Sequence, residues 1–161
     1  MPGQHPFKYA HVERERRWLL AAPPHFLDDV QQLRIMDRYL TGTRLRLREV
    51  THADGTVVRK LGHKVRLGDD AAEVAHTSLY LDDAEWNVLV TLPAGVLHKT
   101  RTLVQHDGGA IAVDVHADGM VIAELDAGDG PTRELPPSYD VVREVTEEEE
   151  FTGAALARST D

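Results

Sequence analysis

The amino-acid sequence predicts a mainly β (α+β) protein, an antiparallel meander of strands with two or three helices in a single domain spanning residues 1–161. Three observations predict it. Charged and apolar residues alternate with period 2 through much of the chain, the spacing at which successive side chains of a strand face opposite ways. Turn signals rich in Asp and Gly separate the alternating runs. The composition, 42% hydrophobic and 28% charged over 161 residues, is that of an ordinary globular domain with enough material for a core or a small barrel.

The elements follow in order. His11 to Leu20 reads as the first strand. Thr43 to Val50 alternates Arg44, Arg46 and Arg48 with Leu45 and Leu47, and Asp54-Gly55 turns it into a returning strand from Thr56 to Leu67. Glu73 to Leu81 is a further strand. Asp82 to Leu92 reads as a helix capped by Asp82 or Asp83, with Trp86 and Leu89 three apart, ended by Pro93 and Gly95. Val96 to His106, Ala110 to His116 and Met120 to Ala127 are strands, joined by Asp107-Gly108-Gly109 and Ala117-Asp118-Gly119. Gly128 to Tyr139 is a loop rich in Gly and Pro. Thr146-x-x-Glu149 has the form of a capping box and opens a short helix to about Ala157.

Charge excludes several function classes. The formal net charge of −9 argues against a general nucleic-acid or acidic-membrane binder. The charge is segregated, however: nine Lys or Arg stand against three acids between Arg34 and Arg66, while Glu144 to Glu150 holds five Glu and no cation. A basic middle in an acidic protein points to an enclosed anion site. There is no cysteine, so disulfides and thiolate metal sites are excluded. The nine histidines show no zinc-ligand spacing, and no GxxxxGK, GxGxxG or GxSxG motif is present. No apolar run approaches membrane-spanning length, and Met1 to Pro6 shows no signal-peptide pattern, so a soluble cytoplasmic protein is expected.

The charged parity is the main chemical signal. Glu13, Glu15 and Arg17 share one face of the first strand, as do Arg44, Arg46 and Arg48, Lys60, Lys64 and Arg66, Lys99 and Arg101, and Glu124 and Asp126 on theirs. Leu97 and Leu103 break the rule by sharing the parity of Lys99 and Arg101. A one-sided sheet with its charged face in water gives such alternation, and so does a closed barrel with charges in its lumen. Alternate carboxylates beside a guanidinium offer oxygen ligands for Mg²⁺ or Mn²⁺ and a partner for phosphate.

Glu13-x-Glu15-x-Arg17, followed by Trp18-Leu19-Leu20, resembles the ExExK signature that opens the CYTH, or triphosphate tunnel metalloenzyme, superfamily, with Arg17 in place of Lys. Further segments resemble the family in order: Tyr39-Leu40, the alternating arginines, Lys60 or Lys64, Thr77 to Leu81 with Glu85-Trp86, Lys99-Thr100-Arg101, Asp114-Val115-His116, Ala123-Glu124-Leu125-Asp126, and Val145 to Ala157. The resemblance implies an eight-stranded antiparallel closed β-barrel, a tunnel, with a few flanking helices and a C-terminal lid helix. It implies that Glu13, Glu15, Asp114, Glu124 and Asp126 hold Mg²⁺ or Mn²⁺. Arg44, Arg46, Arg48, Lys64, Lys99 and Arg101 would bind a triphosphate or polyphosphate substrate, and Glu13, Glu15 and Arg17 would serve catalysis. The implied activity is metal-dependent hydrolysis of a triphosphate group, with inorganic triphosphate first. The alternatives are an adenylate cyclase, a thiamine or nucleoside triphosphatase in the same tunnel, and a non-catalytic polyphosphate-binding module. No DNA or membrane partner is expected, and a homodimer is one option.

Overall fold

A computed structural model describes residues 7–25, 30–69, 73–107, 109–128 and 130–158. Met1 to Pro6, Gly108 and Asp129, which belong to segments read above, lie outside these. The elements are β1 (His11–Leu20), β2 (Gln32–Leu40), β3 (Leu45–Thr51), β4 (Val57–Arg66), β5 (Glu73–Tyr80), α1 (Asp83–Leu89), β6 (Ala94–His106), β7 (Gly109–His116), β8 (Val121–Asp126), β9 (Val141–Glu144), a 3₁₀ turn (Glu149–Phe151) and α2 (Gly153–Arg158).

Eight antiparallel strands close into a barrel in the order β5-β4-β3-β2-β6-β7-β8-β1, and β5 returns to pair with β1. The closing seam is short, from His11↔His76 to Arg14↔Glu73. Beyond it β9 pairs with Trp18 to Leu20 and extends the wall. Closure leaves every barrel strand with two neighbours and so removes the open edges that a flat sheet would present. Among the described residues no helix is long and apolar enough to cross a membrane.

The core lies on the outer face of the wall, in two patches. Trp18, Leu20, Ile111, Val113, Val121, Ala123 and Leu125 form one, covered by the 130–140 loop through Leu135 and Tyr139. Leu40, Leu47 and Trp86 form the other, covered by α1. Asp82 caps α1, accepting from the Glu85 amide while the Glu85 carboxylate accepts from its own, a reciprocal capping box. Burying Trp86 on the flat outer face of β2 and β3 fixes the helix against the barrel.

Three features differ from the sequence reading. β2 is a strand of nine residues that alternation did not reveal. Its apolar residues fall on both parities, because Leu33 and Ile35 face the lumen while Met36 and Leu40 face the α1 patch. β9, four residues long and exposed along its length, carries no burial alternation for a sequence pattern to record. The C-terminal helix is broken in two. Thr146 does not cap it: its hydroxyl meets the Arg17 amide and the Glu144 carboxylate instead. Thr152 caps the second piece through the Ala155 amide, so α2 begins only at Gly153.

This C-terminal segment closes one mouth of the barrel. Ala157 is fully buried and lies against Gly95 of β6, where an added Cβ would sit 3.1 Å from the Ala157 carbonyl oxygen. Gly153 lies so close to the Tyr39 ring at the end of β2 that any side chain there collides with it. Glycine at both contacts is what lets helix and wall meet.

Candidate active site

Strand register decides which side chains enter the lumen. The pairs Arg17↔Glu124, Arg101↔Asp114 and Arg48↔Lys60 put these charged residues of β1, β3, β4, β6, β7 and β8 on the inner face. Among the described residues this gives seven cations along the lumen, Arg17, Arg46, Arg48, Lys60, Lys64, Lys99 and Arg101, and five carboxylates, Glu13, Glu15, Asp37, Asp114 and Glu124, with Arg66 and Asp126 on the same parity at the ends of β4 and β8, where Arg66 pairs with Glu149. Leu97 and Leu103 also face inward, which explains their shared parity with Lys99 and Arg101. Leu97 is buried in the lumen, and Leu103 is exposed farther along β6, away from the closed mouth.

Two carboxylates are fully committed to cations. Asp114 accepts from Lys99 Nζ at 2.8 Å and from Arg101 Nε and Nη2 at 2.7 and 2.8 Å. Asp37 accepts from Arg48 Nε and Nη2, both at 2.7 Å, with Arg46 Nε 3.8 Å away. Both carboxylates are 0% exposed. Burial works against their charge, but the adjoining cations hold each below the usual carboxylate range. In return Asp37 and Asp114 raise the pKa of Arg48 and Arg101 against the burial of those guanidinium groups.

The other three carboxylates form a less settled group. Glu13 takes His76 Nδ1 at 2.8 Å on one oxygen and Lys64 Nζ at 3.2 Å on the other. Burial opposes its charge, yet these partners bring it to about 2. Glu15 lies 3.9 Å from the same Lys64 nitrogen, with Glu124 as a further charged neighbour. Burial and the Glu124 carboxylate push Glu15 up to about 8. Glu124 goes the other way: burial would raise it, but Arg101, whose Nη2 is 3.0 Å away, holds it well below its ordinary value. The two carboxylates are thus pushed in opposite directions, Glu15 toward its protonated form and Glu124 toward its charged one, as neighbouring like charges are.

This couple has a stability signature. The folded state keeps a proton that the unfolded chain releases above its ordinary Glu value of 4.5. Stability therefore falls as pH rises toward about 8 and is flat beyond. Metal-free protein is expected to show this decline in Tm, and Glu15→Gln to flatten it. An unchanged slope in that variant would remove the raised Glu15 from the account.

The residues expected from sequence are not all brought together. Glu13, Glu15, Asp114, Glu124, Lys64, Lys99 and Arg101 lie together in the lumen, with Arg46 and Arg48 beside them. Arg17 points into the lumen, where its Nη1 and Nη2 donate to the carbonyls of Phe151 and Thr146, both at 3.1 Å; it fastens the C-terminal segment. Arg44 is exposed in the bend before β3. Asp126 is exposed, and its Oδ1 accepts the amides of Arg14 and Gly128 instead of joining Glu124. Asp37 and His76 lie in the same lumen and were not singled out; Asp37 sits on the unread β2, and His76 is one histidine among nine with no motif.

The donor set fits a hard divalent cation in chemistry: three carboxylates, Glu13, Glu15 and Glu124, one of which has a buried oxygen, Glu13 Oε2, without a hydrogen-bond partner. The Lys64 ammonium already stands between Glu13 and Glu15. Among the described residues no three His, Asp or Glu side chains converge on one point as a formed metal site. Asp114 has both oxygens engaged by Lys99 and Arg101, and Asp126 gives Oδ1 to backbone amides.

No family model and no curated protein matches the chain. Solved structures do. Two crystal structures of the protein NE1496, one described as a hypothetical protein and the other as an inorganic triphosphatase, superpose with TM-scores of 0.57 and 0.56 at 22% identity, covering 90% of this chain and 97% and 93% of NE1496. A conserved hypothetical protein from Pyrococcus furiosus superposes with a TM-score of 0.51 at 18% identity, over 70% of this chain and 78% of its own. The chain shares its barrel fold with an inorganic triphosphatase.

Proposed function

We propose that this protein is a divalent-metal-dependent triphosphatase whose first substrate is inorganic triphosphate. The observation that carries the reading is the lumen: a cationic wall faces a carboxylate trio inside a closed barrel. Low-dielectric walls strengthen both attractions, and a linear polyphosphate has the charge and length to lie along such a channel.

Glu13, Glu15 and Glu124 would hold Mg²⁺ or Mn²⁺. The bound cation would neutralise phosphate oxygens and acidify a water. Arg46 is the cation best placed to take substrate. Its guanidinium is buried and only a distant ion pair engages it, whereas Arg48, Lys99 and Arg101 are already neutralised by Asp37 and Asp114. Those fixed pairs keep the wall rigid, so donors aimed at the phosphates need little rearrangement as charge develops. Phosphoryl transfer asks chiefly for positioning and electrostatics, and the lumen needs no protein nucleophile. Arg17 serves in this reading by fastening the segment that closes the mouth and excludes water.

Ligand that binds only the folded state raises Tm by mass action. Triphosphate at roughly 100 times its Kd stabilises by about 2.7 kcal/mol, which for a domain of this size is roughly 5–11 °C. Arg46→Ala is expected to remove most of that rise. An equal rise in the variant would place the anion elsewhere.

A further inference from the structure

We propose that Lys60, held against the Tyr80 ring at the open mouth of the barrel, is a subsite for phosphoryl groups beyond the third, so that the lumen takes linear polyphosphate chains longer than triphosphate. The inference rests on reading the lumen as a triphosphate site and adds to it what that site accepts past the third group. Three observations carry it.

The first is a cation without a counter-charge. Arg48, Lys64, Lys99 and Arg101 each meet a carboxylate, and Arg46 has Asp37 at 3.8 Å. Arg17 is taken up by two carbonyls. Among the described residues no carboxylate stands within ion-pair distance of Lys60, whose Nζ lies instead 5.3 Å from the centre of the Tyr80 ring. The ring steadies the ammonium but leaves its charge uncancelled. Lys60 also lies directly across from Arg48. Like charges directly opposite each other on a sheet are destabilising, and an anion between them removes that cost.

The second is direction. Tyr80 pairs with Lys60 in register, ends β5 and is 73% exposed, so the ring marks the rim and holds the ammonium there. The opposite mouth is closed by the C-terminal segment. A chain with one end at the acidic trio therefore leaves the lumen past Lys60. On the open side of Lys60 the lumenal positions of β2, β3 and β4 are Ile35, Val50 and Val58, which pair in register. Lys60 is the last cation on these strands before the rim.

The third is length. Lys60 lies four residues along β4 from Lys64, which touches Glu13. Four residues of strand advance about 13 Å. Each group of a linear polyphosphate advances by two P–O bonds, less than the ~3.3 Å of one strand residue. The three phosphorus atoms of a triphosphate thus span under about 7 Å and, with one end beside Lys64, stop short of Lys60. A chain of about five or six groups covers the distance.

The test is calorimetric titration of metal-free protein, in a chelator and about 0.15 M salt, with linear triphosphate and with linear hexaphosphate. At that salt the screening length is about 8 Å, so a charge as far off as Lys60 counts mainly for groups that reach it. The wild type should bind the hexaphosphate about 10-fold more tightly, the gain of one hydrogen bond to a charged group at the weak end of its range. Lys60→Met should bring the ratio of the two affinities close to one. Lys60→Arg should keep the ratio, since it keeps the charge and can stack on the ring. Tyr80→Ala should reduce it by about 2- to 5-fold, the worth of an exposed cation–π contact. Tm read on each variant guards against misfolding, and for Lys60→Met it should hold or rise because the repulsion with Arg48 is gone. If Lys60→Met, folded, prefers the hexaphosphate as strongly as the wild type does, the gain comes from charge elsewhere and the subsite is overturned while the triphosphate reading stands. Equal affinity of the wild type for both chains overturns it in the same way. If the wild type binds neither, the triphosphate reading fails and the subsite with it.

Discussion

Glu13→Gln is expected to cut triphosphate turnover by more than the roughly 10–100-fold that loss of an outer metal partner costs, with the barrel still folded. Glu13 stands at the junction of the acidic trio. One oxygen orients His76 and the other meets Lys64 and has no hydrogen-bond partner. The amide keeps the shape but removes a charge and replaces one acceptor by a donor pair, which faces the Lys64 ammonium. Steady-state phosphate release at saturating Mn²⁺, alongside circular dichroism, separates the two effects. Substantial turnover in a folded Glu13→Gln would take this residue out of the metal-binding and catalytic assignment.

Asp114→Ala is expected to be the most damaging single change to stability. Its carboxylate is fully buried and receives three charged hydrogen bonds, from Lys99 and twice from Arg101. Removing it leaves two cations buried with only Glu124 to answer them. Breaking a buried ion pair by deleting one partner costs about 3–5 kcal/mol, here on the order of 10 °C in Tm. Triphosphate should restore part of the loss, since it brings negative charge to the same cations. A loss below about 1 kcal/mol would show that the lumen is wet enough to screen these charges.

Much of the wall was legible in the sequence because period 2 is a direct geometric consequence of strand backbone. The strands around Asp54-Gly55 and Ala117-Asp118-Gly119 appear where the turn chemistry places them, with Gly55 and Gly119 at φ of 87° and 92°. Alternation could not show closure, since an open sheet with a wet face has the same pattern. Closure depends on His11 to Arg14 meeting Glu73 to His76, a pairing 59 to 65 residues apart in sequence that local pattern does not record. β2 was illegible for a related reason: with apolar neighbours on both faces it has no alternation to read. Asp37 was lost with it. The Thr146 capping box was a true local signal overruled by tertiary structure, because Arg17 and Glu144 offered that hydroxyl better-placed partners. Arg44 and Asp126 continue the charged parity of their strands but stand at or beyond strand ends, where parity no longer fixes direction.

The central claim is that the charged lumen binds and hydrolyses a triphosphate group with a divalent cation. The most direct measurement is phosphate release from inorganic triphosphate, ATP and thiamine triphosphate, each with Mg²⁺, with Mn²⁺ and with chelator, for the wild type and Arg46→Ala. The account predicts release from inorganic triphosphate that needs metal, exceeds release from the other two, and collapses in Arg46→Ala. Tight, metal-independent binding of triphosphate without release of phosphate under any condition would contradict it and leave a polyphosphate-binding module in its place.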